Sequence, residues 1–79
     1  MNIKILGTGC AKCTKLEELA KKAVAELGVD ANVEKVKDLD RIMDYGVMIT
    51  PGLVIDEQVK ATGKIPSVDQ IKAWIREEN

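Results

Sequence analysis

Leu16, Leu19, Ala20, Ala23, Val24 and Leu27 recur at i, i+3, i+4, i+7, i+8 and i+11. That spacing lays six apolar side chains along one face of a helix. Lys15, Glu18, Lys21, Lys22 and Glu26 take the remaining positions, so the pattern predicts an amphipathic helix over about Lys12 to Leu27. Gly28 closes it, because glycine enters the left-handed conformation after a helix end without steric cost. On the N-terminal side, Asn2-Ile3-Lys4-Ile5-Leu6 is rich in β-branched residues and bounded by Gly7-Thr8-Gly9. On the C-terminal side, Val29 to Val36 alternates around Ala31, Val33 and Val36. Both read as strands, and a helix with one apolar face between two strands must cover the sheet they form.

The rest of the chain adds smaller elements. Asp38 is placed to cap a short helix that turns Leu39, Ile42 and Met43 inward and ends near Gly46. Thr50-Pro51-Gly52 then breaks the chain before Leu53-Val54-Ile55, and Asp56-Glu57-Gln58 is a polar turn into Val59 to Thr62. A hairpin is the natural reading. Ser67 followed by Gln70 forms a capping box, and Pro66 keeps the helix from starting earlier. Val68, Ile71, Trp74 and Ile75 supply the apolar face of this last helix, with Trp74 expected in the core or half-buried. The predicted order is β-α-β-α-β-β-α: one α/β domain over residues 1–79, a four-stranded mixed sheet flanked by three helices. Two crossovers are expected to give parallel pairing, and the hairpin an antiparallel edge.

A chain of 79 residues supports one hydrophobic core and buries only roughly 60–65% of its unfolded surface. It has no room for a large cofactor in a deep cavity. Net charge is −1, with no Phe and a single Tyr and Trp, so neither a basic footprint nor a base-stacking surface for nucleic acid is expected. The apolar run Ile3 to Leu6 is too short for a signal-peptide core, and nothing approaches the ~20 apolar residues of a membrane span. The expectation is a cytoplasmic monomer without membrane insertion.

Cys10-Ala11-Lys12-Cys13 falls where the first strand and a glycine-rich loop turn into the helix. Residues three apart at a helix start have Cβ atoms ~5–6 Å apart on one face, within reach of a disulfide after small adjustments. Cys10 falls at the cap, where unpaired N–H groups and a dipole contribution of ~1–2 kcal/mol favour a thiolate. Lys12 and Lys15 add a smaller, screened contribution. Cys10 is therefore the expected nucleophile and Cys13 the resolving thiol. A structural bridge fits poorly, since closing a four-residue loop stabilises by only ~2 kcal/mol in chain-entropy terms. A soft metal is the competing use of the same thiols. Structural zinc needs four ligands, and the chain has no histidine and no third cysteine. Two-coordinate copper(I) or mercury(II) needs only Cys10 and Cys13, so a metal carrier stays open as the alternative. Thr8 stands where small heavy-metal-binding domains usually carry Met two residues before the first cysteine, and those domains end in a strand.

Gly7-Thr8-Gly9-Cys10-Ala11-Lys12-Cys13, Thr50-Pro51-Gly52 and the Gly63…Pro66-Ser67 approach to the last helix together resemble the thioredoxin/glutaredoxin superfamily. The likeness is greatest to the very small thioredoxin-like redox-active disulfide proteins of archaea and bacteria. It implies a thiol–disulfide oxidoreductase with Cys10 and Cys13 as the catalytic pair and no cofactor beyond their disulfide. It also implies a cis bond at Thr50-Pro51, opposite the cysteines, where the Thr50 backbone offers an edge to an extended substrate. Gly9, Ala11 and Lys12, with Thr50 and Pro51, are the expected substrate-facing residues. The implied partners are a protein disulfide substrate and an upstream electron donor like thioredoxin reductase. The chain departs from the pattern in several places. Ala-Lys stands between the cysteines, no Trp precedes Cys10, and Lys4 replaces the buried acid that thioredoxins place in that strand. The Gly-Gly and acidic pair with which glutaredoxins hold glutathione are replaced by Gly63-Lys64-Ile65-Pro66-Ser67, so glutathione dependence is not expected.

Overall fold

A computed structural model describes residues 1–7 and 11–78, Glu78 through its backbone alone. The order is β1 (Asn2–Leu6), α1 (Ala11–Leu27), β2 (Asn32–Val36), α2 (Leu39–Asp44), β3 (Gly52–Ile55), β4 (Gln58–Thr62) and α3 (Val68–Glu78). The sheet runs β2-β1-β3-β4. Pleating sends alternate side chains to opposite faces. Ile3, Ile5, Leu53 and Ile55 meet Leu16, Ala20 and Ala23 of α1 and Ile71 and Ile75 of α3 on one face. Leu6 and Val54 meet Ile42, Val36 and Val47 on the other. The result is the small three-layer α/β fold expected, and no helix among the described residues is long and apolar enough to cross a membrane.

The helix ends follow local chemistry. Gly28 takes φ +66° after α1, Asp40 N–H donates to Asp38 Oδ1 at 2.9 Å, and Gln70 N–H donates to Ser67 Oγ at 3.1 Å. The second strand is shorter than the alternation suggests. Val29 and Ala31 pack against the core ahead of β2, outside the ladder that begins where Asn2 meets Asn32.

Two expectations are corrected. Only β1 and β2 pair in parallel; β3 runs antiparallel to β1. Val36 and Gly52 both lie beside Leu6, so the chain returns to the sheet at the end where it left. A helix of six residues advances only about 9 Å, and its contacts with Leu6 and Val36 hold it at that end. The reach needed for a second parallel crossover is missing. Secondly, Leu39 and Met43 do not face inward: they are 60% and 65% exposed, while Ile42 alone of the α2 apolar residues is buried. Val47 and Tyr45 fill the remaining space.

Because α2 is short, it leaves the far part of its sheet face for Lys4. The Lys4 ammonium donates to Tyr45 Oη at 2.8 Å and to Glu57 Oε1 at 2.6 Å, and Tyr45 Oη donates to Glu57 Oε2 at 3.0 Å. Glu57 closes the two-residue β3–β4 turn, where Asp56 and Glu57 have φ of 48° and 68°, the mirror-image turn that suits twisted hairpins. Tyr45 thus ties the end of α2 to this turn. The Glu57 and Tyr45 bonds push the Lys4 pKa up from 10.5 to about 12. The same bonds to Lys4 and Tyr45 hold the Glu57 carboxyl below its usual 4.5. Stability from Glu57 is therefore present above the ordinary carboxylate range and lost as pH falls through its lowered value. That from Lys4 is complete below 10.5 and lost as pH rises through about 12. Glu57→Gln is expected to melt modestly lower than the parent near neutral pH, because Glu57 is 65% exposed. Melts repeated at successively lower pH should show the gap closing as the Glu57 carboxylate is protonated; a gap independent of pH would remove the ion pair as its cause.

Candidate functional site

Cys13 lies in the first turn of α1 on the face that carries Leu16, Ala20 and Ala23 into the core, and it is 6% exposed. Its position follows from the helical period, one step before Leu16. The wall opposite is Gly7, the residue directly after β1, whose N–H donates to Val36 O at 2.9 Å. A Cβ on Gly7 would overlap Cys13 Sγ, lie 3.2 Å from Cys13 Cβ and 3.9 Å from Thr50 Cβ. Gly7 is thus the gap across which the sulfur and Thr50 approach one another.

Thr50 is half-buried, Pro51 is buried, and the bond between them is cis, the isomer implied by the family resemblance. Pro51 O accepts from Gly63 N–H at 2.8 Å, which joins this loop to the end of β4. Gly63 has φ +66°, and a Cβ there would meet Ile49 Cγ2 at 2.7 Å. Ile49 and Met48, 67% and 91% exposed, precede Thr50 in the chain, and Ile65 follows Gly63. The loop that carries Thr50 is therefore rimmed by apolar side chains.

Beside Cys13 a small cleft is lined by Ile5, Gly7, Thr14, Lys35 and Lys37. Lys35 also pairs with Glu17 at 3.3 Å, one turn beyond Cys13 on α1. Lys35 and Lys37, from the end of β2 and the residue beyond it, thus line the cleft beside this sulfur, whereas the contribution expected of Lys12 and Lys15 concerns Cys10, outside the described residues. Ala11 and Lys12 are exposed at the start of α1. Cys10 and Gly9 lie outside the described residues. Among the described residues no three potential metal ligands come together.

Residues 1–76 match the family described as Thioredoxin domain. The chain belongs to the thioredoxin family. It is 47% identical over 72 residues to a protein named thioredoxin from Methanothermobacter thermautotrophicus, covering 91% of this chain and 94% of that one. It is 50% identical over 74 residues to a thioredoxin from Methanocaldococcus jannaschii, covering 94% of this chain and 85% of that one. Within this thioredoxin-family site, Gly7 and the pair Lys35 and Lys37 were not legible as site residues. Gly7 reads locally as the end of a strand, and its steric role exists only once α1 packs on β1. The two lysines are far from the cysteines in sequence, and only β1–β2 pairing sets them there. The available signal for Gly7 was its place directly after the strand that leads into the cysteine motif.

Proposed function

We propose that this thioredoxin-family chain is a thiol–disulfide oxidoreductase that exchanges a Cys10–Cys13 dithiol with disulfides of protein substrates. The observation that carries this reading is that Cys13 and Thr50, the residue before the cis-bonded Pro51, both flank Gly7. The two archaeal relatives named thioredoxin support the reaction class. In the reducing direction the Cys10 thiolate attacks one sulfur of the substrate disulfide. A Cys10–substrate bond forms, the substrate S–S bond breaks, and one substrate thiolate leaves and takes a proton. Cys13, as thiolate, then attacks the Cys10 sulfur and releases the second substrate thiol. Two electrons have passed to the substrate, and Cys10 and Cys13 are left as a disulfide. A reductase of the thioredoxin-reductase type returns both electrons. No other cofactor is required.

The second step needs a Cys13 thiolate in a mostly apolar setting. Lys35 and Lys37 line the cleft beside that sulfur. Substrate meets the apolar rim of Met48 and Ile49 next to Thr50 and Pro51, and Gly9, Ala11 and Lys12 on the cysteine side. The reducing cytoplasm is the setting we infer.

The test is a thiol count by maleimide gel shift across a series of redox buffers, with turnover of insulin as a protein disulfide. Both thiols should appear and vanish together in one reversible transition, whose midpoint gives the reduction potential. Failure to form the intramolecular disulfide would overturn the reading. Tight stoichiometric copper(I) binding that shields both thiols at cytosolic glutathione levels would favour a metal carrier in its place.

A further inference from the structure

The chain has three methionines, and the fold places them in three different settings. Met1 is half-buried and packs against the core cluster of β1, β3, α1 and α3. Met43, on α2, is 65% exposed, and Met48 is 91% exposed. A peroxide converts an accessible thioether to a sulfoxide, which puts a polar group in place of an apolar one. Of the three sulfurs, Met48 is therefore the one that a peroxide in solution meets most readily.

Its place in the chain gives that reaction a consequence. Val47, directly before it, is buried with Leu6, Val36, Ile42 and Val54. Thr50-Pro51 follows after Ile49, with Pro51 buried and its carbonyl held by Gly63 N–H at 2.8 Å. The segment between these two anchors presents Met48 and Ile49 to solvent beside the cis bond. At its exposure the Met48 side chain contributes almost nothing to the core, so an oxygen on its sulfur leaves the packing of the domain intact. What it changes is the apolar surface of that rim.

We propose that Met48 is an oxidation site for hydrogen peroxide, and that its sulfoxide weakens capture of protein disulfides at the Thr50-Pro51 loop. The second half rests on the exchange function proposed above, which sets substrate against Met48 and Ile49; the first half does not. A lone pair of the Met48 sulfur attacks one peroxide oxygen. The S–O bond forms, the O–O bond breaks, and the departing hydroxide takes the proton of the transferred oxygen and leaves as water. Sulfur loses two electrons and the peroxide gains them. Reversal needs a dedicated sulfoxide reductase, whereas a cysteine disulfide is reopened by ordinary thiols. The mark at Met48 therefore outlasts the recovery of Cys10 and Cys13.

In the experiment the full-length protein, oxidised to its disulfide, meets graded hydrogen peroxide and is then reduced with dithiothreitol, so that thiols return and sulfoxides stay. Peptide mapping by mass should show Met48 gaining one oxygen before Met43, and Met1 last. KM for insulin should rise about fivefold as Met48 is converted, with kcat and melting temperature nearly unchanged. Met48→Leu, compared with itself before and after peroxide, should show no such rise, whereas Met43→Leu should respond as the parent does. Met48→Gln, polar without oxidation, should carry the raised KM from the start. Oxidation of Met43 or Met1 ahead of Met48 would overturn the site. An unchanged KM at full conversion of Met48, or a rise that persists in Met48→Leu, would overturn its effect on substrate. A joint fall of kcat and melting temperature would do the same, by marking damage to the fold. If untreated protein fails to reduce insulin, the exchange reading fails and the substrate effect with it, while the mapped order of oxidation still decides the site.

Discussion

Gly7→Ala is expected to separate Cys13 from its working position. The new methyl group would fall on Cys13 Sγ and crowd Cys13 Cβ at 3.2 Å. The sulfur is the mobile end of a short side chain and could rotate, but the Cβ contact stays tight. Gly7 is itself held by its bond to Val36 O at 2.9 Å. Relief therefore comes either from turning the sulfur away from Thr50 or from lifting the first turn of α1. Overpacking of this kind costs about 1–3 kcal/mol, a large share of the ~5–15 kcal/mol that holds a small domain folded. Chemical denaturation of Gly7→Ala should show that loss, and the maleimide assay should show impaired disulfide formation. The decisive control is Gly7→Ala combined with Cys13→Ala, which removes the colliding sulfur. The double variant should recover stability relative to the sum of the two single changes; strict additivity would mean that the contact does not exist.

Serine at either cysteine should abolish turnover, but by different routes. Cys10→Ser removes the attacking sulfur, so insulin reduction should fall to background, a loss of about a thousandfold or more. Cys13→Ser keeps the attacker and removes the resolver. It should accumulate a covalent adduct with the substrate, visible as a mass increase that dithiothreitol reverses. A Cys13→Ser protein that still turns over many substrate disulfides without added thiol would overturn the assigned order of attack. An adduct formed equally by Cys10→Ser would do the same. The melting curve of Cys13→Ser should stay cooperative, because that change leaves the larger apolar residues of both core clusters in place.

Local spacing carried most of the secondary structure. The six-residue apolar period of α1, the Asp38 and Ser67 caps and the Thr50-Pro51-Gly52 break each act within a turn or two of chain, and each was legible without long-range information. Cys10 and Cys13 stand out as a candidate pair in the sequence for the same reason, since a helix start by itself sets two residues three apart on one face. Leu39 and Met43 misled because helical spacing says which residues share a face, and not how much sheet remains for that face to cover. The direction of β3 misled because a count of strands and helices does not say at which end of the sheet a connection returns.

The order of elements, the candidate cysteine motif and the helix caps are thus properties of the chain read along itself. The antiparallel direction of β3, the closeness of Cys13 to Thr50 across Gly7, and Lys35 and Lys37 beside the sulfur arise only when α1 lies on β1 and β2 pairs with it. So does the Lys4–Tyr45–Glu57 cluster. The physical reason is one of range. Helix periodicity and capping are settled by neighbours within four residues, whereas steric gaps and charge placement depend on which distant surfaces the core brings into contact.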